Sequence, residues 1–148
     1  MRIIIRMTGL RSGDMADEMP LSEKPWLRLL LVDDEAGFVD VLARRIAKRN
    51  IQVCKAYSGY EAVQMLHKEP FDVAVLDLKM ADMDGIELLK ILKKMAPDLQ
   101  VIILTGHGCE AAARDGMSHG AADYLIKPCD FEELTAKIQQ TASHRRKY

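Results

Sequence analysis

The sequence predicts an α/β fold with a doubly wound, five-stranded parallel sheet and helices on both faces. Short apolar segments of four to six residues alternate with longer amphipathic segments, and this alternation occurs five times between residues 27 and 142. Continuous apolar runs are typical of parallel strands that are buried on both sides. Five strand–helix units are too few for an eight-stranded barrel, so we expect an open sheet.

The first predicted strand is the apolar run 27–32, which ends abruptly at acidic residues. The helix after it has one apolar face whose residues recur at a spacing of four: Phe38, Leu42 and Ile46. Residues 51–56 form the second predicted strand. Ser58 and Glu61 then have the S-x-x-E pattern of a capping box, which predicts the start of the second helix.

The third strand is predicted over 72–76. The helix that follows begins at about Gly85, stops before Pro97, and is expected to direct four side chains inward: Leu88, Leu89, Leu92 and Met95. The last two units have strands over 100–104 and 123–126. Their helices are an alanine-rich segment at roughly 109–119 and a segment that opens at Asp130, with Leu134 and Ile138 on its inner side.

Composition limits the classes of function. The chain has 21 basic and 22 acidic residues and a net charge of −1, which gives no electrostatic case for nucleic acid or a membrane surface as a partner. Three cysteines without C-x-x-C spacing favour a reduced, cytoplasmic protein. We expect a disordered leader over residues 1–25, one folded domain over 26–143 and a short basic tail over 144–148.

Polar side chains follow four of the five predicted strands. Asp33 and Asp34 follow the first strand, Asp77 the third, Thr105 the fourth and Lys127 the fifth. In such sheets, sites form at the carboxyl ends of the strands, so we expect these groups to meet there. Three carboxylates in one place favour a hard divalent cation such as Mg²⁺. With an ammonium and a hydroxyl beside it, Asp77 is a candidate carboxylate nucleophile for phosphoryl transfer.

The order of these residues resembles the receiver domain of bacterial response regulators over residues 27–142. The segments that carry the resemblance are Leu31-Val-Asp-Asp-Glu35, Leu76-Asp-Leu-Lys-Met80 with Asp84-Gly85, Leu104-Thr-Gly106 and Asp123-Tyr-Leu-Ile-Lys-Pro128. The resemblance implies a flavodoxin-like strand order 2-1-3-4-5. It also implies a signalling domain, not an enzyme, whose only chemistry is its own phosphorylation and slow dephosphorylation.

The resemblance assigns a role to each site residue. Asp77 is the phosphoacceptor, and Mg²⁺ or Mn²⁺ is held by Asp34, Asp77 and the backbone carbonyl of Lys79, with Asp33 acting mainly through water. Thr105 and Lys127 contact the phosphoryl group, and Lys127-Pro128 has a cis peptide bond. The phosphodonor is a sensor histidine kinase or a phosphotransfer protein. Thr105 and Tyr124 form a switch that alters the face made by the fourth helix, fifth strand and fifth helix, where a partner or a second copy binds.

Several alternatives stay open. Many family members have proline where Ala81 stands, and we expect a looser loop there without loss of chemistry. The domain could act alone, belong to a longer DNA-binding regulator, or be a pseudo-receiver that binds partners without phosphorylation. A haloacid-dehalogenase-like phosphatase would need a second acid where Lys79 stands. A flavin or nucleotide binder would need a phosphate-binding loop where the first strand instead ends in acids.

Overall fold

The computed structural model describes residues 27–146, and side chains as far as residue 143. The leader expected over 1–25, Trp26 and residues 147–148 lie outside the described residues. The strands are β1 (Leu27–Val32), β2 (Ile51–Ala56), β3 (Val73–Leu76), β4 (Gln100–Thr105) and β5 (Asp123–Ile126). The helices are α1 (Ala36–Ala47), α2 (Gly59–Lys68), α3 (Gly85–Met95), α4 (Glu110–Ser118) and α5 (Phe131–Arg146).

The five strands form one parallel sheet in the order β2-β1-β3-β4-β5. This confirms the predicted fold class and strand order. The chain runs outward from β1 to β2 and then returns to place β3 on the other side of β1. The strand order therefore reverses between β1 and β3, and a crevice opens at their carboxyl ends.

The sheet separates two apolar layers because successive strand residues point to opposite faces. Leu29 and Leu31 pack with α1 and α5 on one face, whereas Leu30 and Val32 pack with α2, α3 and α4 on the other. The inner residues expected for the last helix, Leu134 and Ile138, are buried in the first layer. Burial on both faces explains why the strands are apolar throughout.

One residue of α3 departs from the prediction. Leu88, Leu89 and Leu92 are buried as expected, but Met95 is 38% exposed. The apolar face continues from Leu92 to Ala96, four positions on, so Met95 turns away from the sheet and lines a surface cavity beside Phe71. Spacing alone could not distinguish Met95 from Ala96 as the end of the buried face.

Side-chain caps fix two helix starts near the carboxyl edge of the sheet. Ser58 accepts a hydrogen bond from the backbone N–H of Glu61 at 3.0 Å, as the capping motif predicts. The Glu61 carboxylate accepts from the N–H of Tyr57 at 2.7 Å, one residue before the usual capping-box partner. Asp84 caps α3 through the N–H of Glu87 at 3.2 Å.

Among residues 27–146, no helix has the length and apolar character needed to cross a membrane.

Candidate active site at the carboxyl edge of the sheet

The ends of β1 and β3 place two aspartates side by side. Val32 and Leu76 are partners in the parallel register, so the residues that follow them, Asp33 and Asp77, leave adjacent strands at the same level. The backbone N–H of Asp77 donates to the carbonyl of Val32 at 3.0 Å, which continues the pairing up to the site. Relative exposure is 2% for Asp33 and 6% for Asp77.

Asp34 completes a cluster of three carboxylates. Asp33, Asp34 and Asp77 each offer one oxygen, and these oxygens all lie within 4.8 Å of one another. Asp34 is exposed, so the cluster is open to solvent on one side. Carboxylate oxygens in this number suit a hard divalent cation, and an open side leaves room for the waters that Mg²⁺ retains. The donor set therefore fits a magnesium-type site.

Lys127 places a positive charge inside this cluster. Its Nζ lies 2.6 Å from Asp33 Oδ2, 3.6 Å from Asp77 Oδ2 and 3.7 Å from Glu35 Oε1. The ammonium also lies 4.3 Å from the centre of the Phe38 ring. The Lys127–Pro128 peptide bond is cis. The ammonium thus balances two carboxylates that are almost completely removed from water.

Burial and pairing shift the pKa values of this pair. Burial raises the pKa of Asp33, although hydrogen bonds from Lys127 and from the backbone N–H of Glu35 act in the opposite direction. Burial tends to lower the pKa of Lys127, but its hydrogen bond to Asp33 and the surrounding carboxylates together raise it above the usual value. Lys127 therefore remains an ammonium at neutral pH.

Thr105 supplies a hydroxyl to the phosphoacceptor candidate. It ends β4, is completely buried, and donates from Oγ1 to Asp77 Oδ1 at 2.7 Å. The N–H of Lys127 donates to the Thr105 carbonyl at 2.7 Å, so the ends of β4 and β5 are joined directly. The N–H of Lys79 donates to Asp77 Oδ1 at 3.3 Å. Asp77 thus has donors at one oxygen and an ammonium near the other.

Tyr124 lies on β5, the strand beside the one that ends at Thr105. It is half-buried on β5, where its register partner is Ile103 on β4. Ile103 and Thr105 are two residues apart and share a face of the sheet, and Tyr124 packs into the apolar layer on that face. The structure therefore brings together Asp33, Asp34, Asp77, Thr105 and Lys127, and it places Tyr124 on the strand next to Thr105.

Contacts of the loop between β3 and α3 were not predicted from the sequence. The N–H of Ala81 donates to Asp34 Oδ2 at 2.9 Å. Asp82 accepts hydrogen bonds from the N–H groups of Gly59 and Tyr60, both at 3.0 Å, and these bonds lower its pKa. An acid in a loop can cap any nearby helix, and the sequence does not show that α2 lies beside this loop.

The chain is similar to known proteins in both sequence and structure. The family model described as "Response regulator receiver domain" matches residues 29–139. A solved receiver domain from Clostridium thermocellum has 30% identity and a TM-score of 0.77, and the match covers 80% of this chain and 96% of that one.

Two curated relatives are longer proteins. "Transcriptional regulatory protein ZraR" of Salmonella typhimurium is 34% identical over 118 residues, which are 80% of this chain and 27% of the relative. "DNA-binding transcriptional regulator NtrC" of Proteus hauseri is 39% identical over 117 residues, which are 78% of this chain and 24% of the relative. The chain thus spans about a quarter of the length of these relatives.

Proposed function

Because the chain belongs to the response regulator receiver domains, we propose that it accepts a phosphoryl group on Asp77 from a sensor histidine kinase or a phosphotransfer protein. Receiver domains are signalling modules and not classical enzymes, so the chemistry concerns the domain's own side chain. The observation that carries the proposal is the surroundings of Asp77, with the Thr105 hydroxyl 2.7 Å from Oδ1 and the Lys127 ammonium 3.6 Å from Oδ2.

The acidic cluster is the proposed site for Mg²⁺ or Mn²⁺. Asp34 and Asp77 would bind the ion through carboxylate oxygens, Asp33 mainly through water, and Lys79 through its backbone carbonyl. The chemistry that a bound divalent ion supplies is neutralisation of charge on the carboxylates and on the incoming phosphoryl oxygens. The oxygen-only donor set and the proximity of the three carboxylates support this assignment.

In the proposed reaction, a carboxylate oxygen of Asp77 attacks the phosphorus of a phosphohistidine. The bond from phosphorus to the donor imidazole breaks, and an aspartyl phosphate forms. Lys127 and Thr105 would then bind phosphoryl oxygens, through an ammonium and a hydroxyl that already face Asp77. Attack by water on the same phosphorus would release inorganic phosphate slowly and restore the carboxylate.

The proposed switch begins with the hydrogen bond from Thr105 to Asp77. On phosphorylation, Thr105 would follow the phosphoryl group, and Tyr124 would turn into the space behind it. This movement would alter the face formed by α4, β5 and α5, where Met117 is 40% exposed and Lys137 pairs with Asp123 at 2.7 Å. We propose this face as the partner or dimer surface, and sedimentation before and after phosphorylation tests the dimer.

A transcriptional output is a second proposal, supported by the two longer relatives, which are named as transcriptional regulators. Transcript sequencing of cells carrying an Asp77→Asn allele, compared with the wild-type allele, tests it. We expect a discrete set of genes to change. Unchanged transcripts would instead favour a domain that passes its phosphoryl group along a relay.

Intact-mass spectrometry tests the phosphotransfer directly. The wild type and Asp77→Asn are each incubated with a purified histidine kinase and ATP, or with acetyl phosphate, in Mg²⁺ and in EDTA. We expect one added phosphoryl group on the wild type in Mg²⁺ only, and none on the variant. A protein that binds no metal and gains no mass from either donor would be a pseudo-receiver, and the proposal would be wrong.

A further inference from the structure

We propose that Asp82 is a positioning residue for the metal site, which it stabilises by fastening the loop between β3 and α3 to the start of α2. The proposal rests on the function proposed above, because it concerns the same metal site. Asp82 does not belong to the carboxylate cluster, and it acts through the backbone of its neighbour Ala81. Nothing in the sequence motifs assigns it a role.

Asp82 binds the start of α2 through both of its carboxylate oxygens. Its two carboxylate oxygens accept separate hydrogen bonds, Oδ1 from the N–H of Gly59 and Oδ2 from the N–H of Tyr60, each at 3.0 Å. These N–H groups lie in the first turn of α2 and have no carbonyl partner within the helix. A carboxylate with both oxygens engaged fixes the position of the loop more strongly than a single hydrogen bond would.

Close packing holds the same part of the loop against α2. A Cβ atom added at Gly59 would lie 2.7 Å from the Cγ atom of Met83 and 2.9 Å from its sulfur. The side chain next to Asp82 therefore rests directly on the backbone of the first helical residue. The tip of the loop is held by a polar contact and an apolar contact to one turn of α2.

The loop tip also contacts the metal site, through Ala81. The N–H of Ala81 donates to Asp34 Oδ2 at 2.9 Å. Asp34 is the exposed member of the cluster, so its side chain has the greatest freedom to leave the position that a cation requires. A hydrogen bond to a ligating carboxylate restricts that freedom and orients the group. Fixing Ala81 therefore fixes Asp34.

The base of the loop is already secured without Asp82. Lys79 and Asp84 form an isolated bridge, and the N–H of Gly85 donates to the carbonyl of Leu78 at 3.0 Å. Residues 80–83 between these contacts have no proline. A proline ring at position 81 would fix the backbone there, but it would remove the N–H that donates a hydrogen bond to Asp34. The loop tip thus depends on Asp82 and Met83 for its position.

Calorimetric titration with Mg²⁺ tests the proposal on the full chain. Asp82→Ala should bind Mg²⁺ about 10-fold more weakly than the wild type, the size of effect seen when a contact that orients a metal ligand is lost. Asp82→Asn should fall between them, because its amide oxygen can still accept one of the two hydrogen bonds. Ser58→Ala is the matched control, since it also removes a cap from α2 but leaves the loop contact intact.

The outcomes separate the two proposals. Weaker Mg²⁺ binding by Asp82→Ala, with wild-type affinity in Ser58→Ala and native circular dichroism in both, supports the positioning role. Equal affinity in the wild type and both Asp82 variants would refute it while leaving the proposed function intact. Equal weakening in Asp82→Ala and Ser58→Ala would also refute it, because α2 stability alone would then control the site. A wild type that binds no Mg²⁺ would refute the proposed function and this inference together.

Discussion

Replacing Gly85 with alanine should damage the site through the backbone beside the phosphoacceptor. A Cβ atom at Gly85 would lie 2.3 Å from the Cα atom and 2.7 Å from the carbonyl oxygen of Leu78, the residue after Asp77. Both are backbone atoms of a buried residue two positions beyond β3, so rotation of a side chain cannot relieve the clash. Gly85 is therefore required because the start of α3 lies directly against the end of β3.

The size of the effect follows from these distances. Ordinary contact between a Cβ atom and its neighbours begins at 3.4 Å, and the added Cβ atom would lie 2.3 Å from the Cα atom of Leu78. Either Leu78 or α3 must therefore move by 1.1 Å, the difference between these two distances. Overpacking of this kind costs up to about 3 kcal/mol in the free energy of unfolding. For a domain of this size that corresponds to a fall in melting temperature of roughly 10 °C. The movement would also displace Asp77, so Mg²⁺ binding should weaken.

Urea unfolding and Mg²⁺ titration of Gly85→Ala measure both effects. Gly37→Ala is the control, because a Cβ atom there has no neighbour within 4 Å and α1 gains up to about 1 kcal/mol of helix propensity. The control should be as stable as the wild type or more so, with unchanged Mg²⁺ affinity. If Gly85→Ala unfolds at the same urea concentration as the wild type, the contact between α3 and Leu78 does not limit the size of the residue at position 85.

Three further predictions follow from the site. Lys127→Ala should lower the free energy of unfolding in EDTA by roughly 3 kcal/mol, because the buried Asp33 loses its partner. Mg²⁺ should restore more stability to this variant than to the wild type. Equal urea midpoints for the variant and the wild type in EDTA would contradict this prediction. Asp82 has a lowered pKa, so its stabilising effect is present above the ordinary pKa of about 3.8 and is lost as the pH falls through the lowered value. The difference in free energy of unfolding between the wild type and Asp82→Ala should therefore be constant from pH 7 to pH 5 and shrink below pH 3.8. A difference that grows on acidification would contradict a stabilising role for the hydrogen bonds from Gly59 and Tyr60 to the Asp82 carboxylate. Tyr124→Ala should be phosphorylated at the wild-type rate, and its partner binding or dimerisation, measured by sedimentation, should be weaker. A lower phosphorylation rate in this variant would place Tyr124 in the reaction itself.

The fold, and the fact that the candidate side chains lie together, could be predicted because both depend on regular backbone geometry. Buried parallel strands are apolar throughout, and their carboxyl ends share one edge, so Asp33, Asp77, Thr105 and Lys127 had to meet if the strands were placed correctly. An error of one residue at a strand end, as at the start of β3, did not alter that result.

The details that depend on packing between segments could not be predicted. Ala81 suggested only a looser loop, whereas in the structure its N–H binds Asp34. Asp82 was not distinguished from other surface acids, because its partners on α2 are more than 20 residues away in sequence. Met95 was assigned inward because a spacing of three and a spacing of four both fit one helical face. In each case the deciding neighbour belongs to another element.

The most direct test of the account is to locate the phosphoryl group by chemical trapping. Borohydride reduces an aspartyl phosphate to homoserine, so peptide fragmentation after phosphorylation and reduction identifies the modified position. The account predicts homoserine at position 77 when both donor and Mg²⁺ are present, and none in EDTA or in Asp77→Asn. Homoserine at any other aspartate, or an added phosphoryl group that persists in Asp77→Asn, would contradict the assignment of Asp77 as the phosphoacceptor.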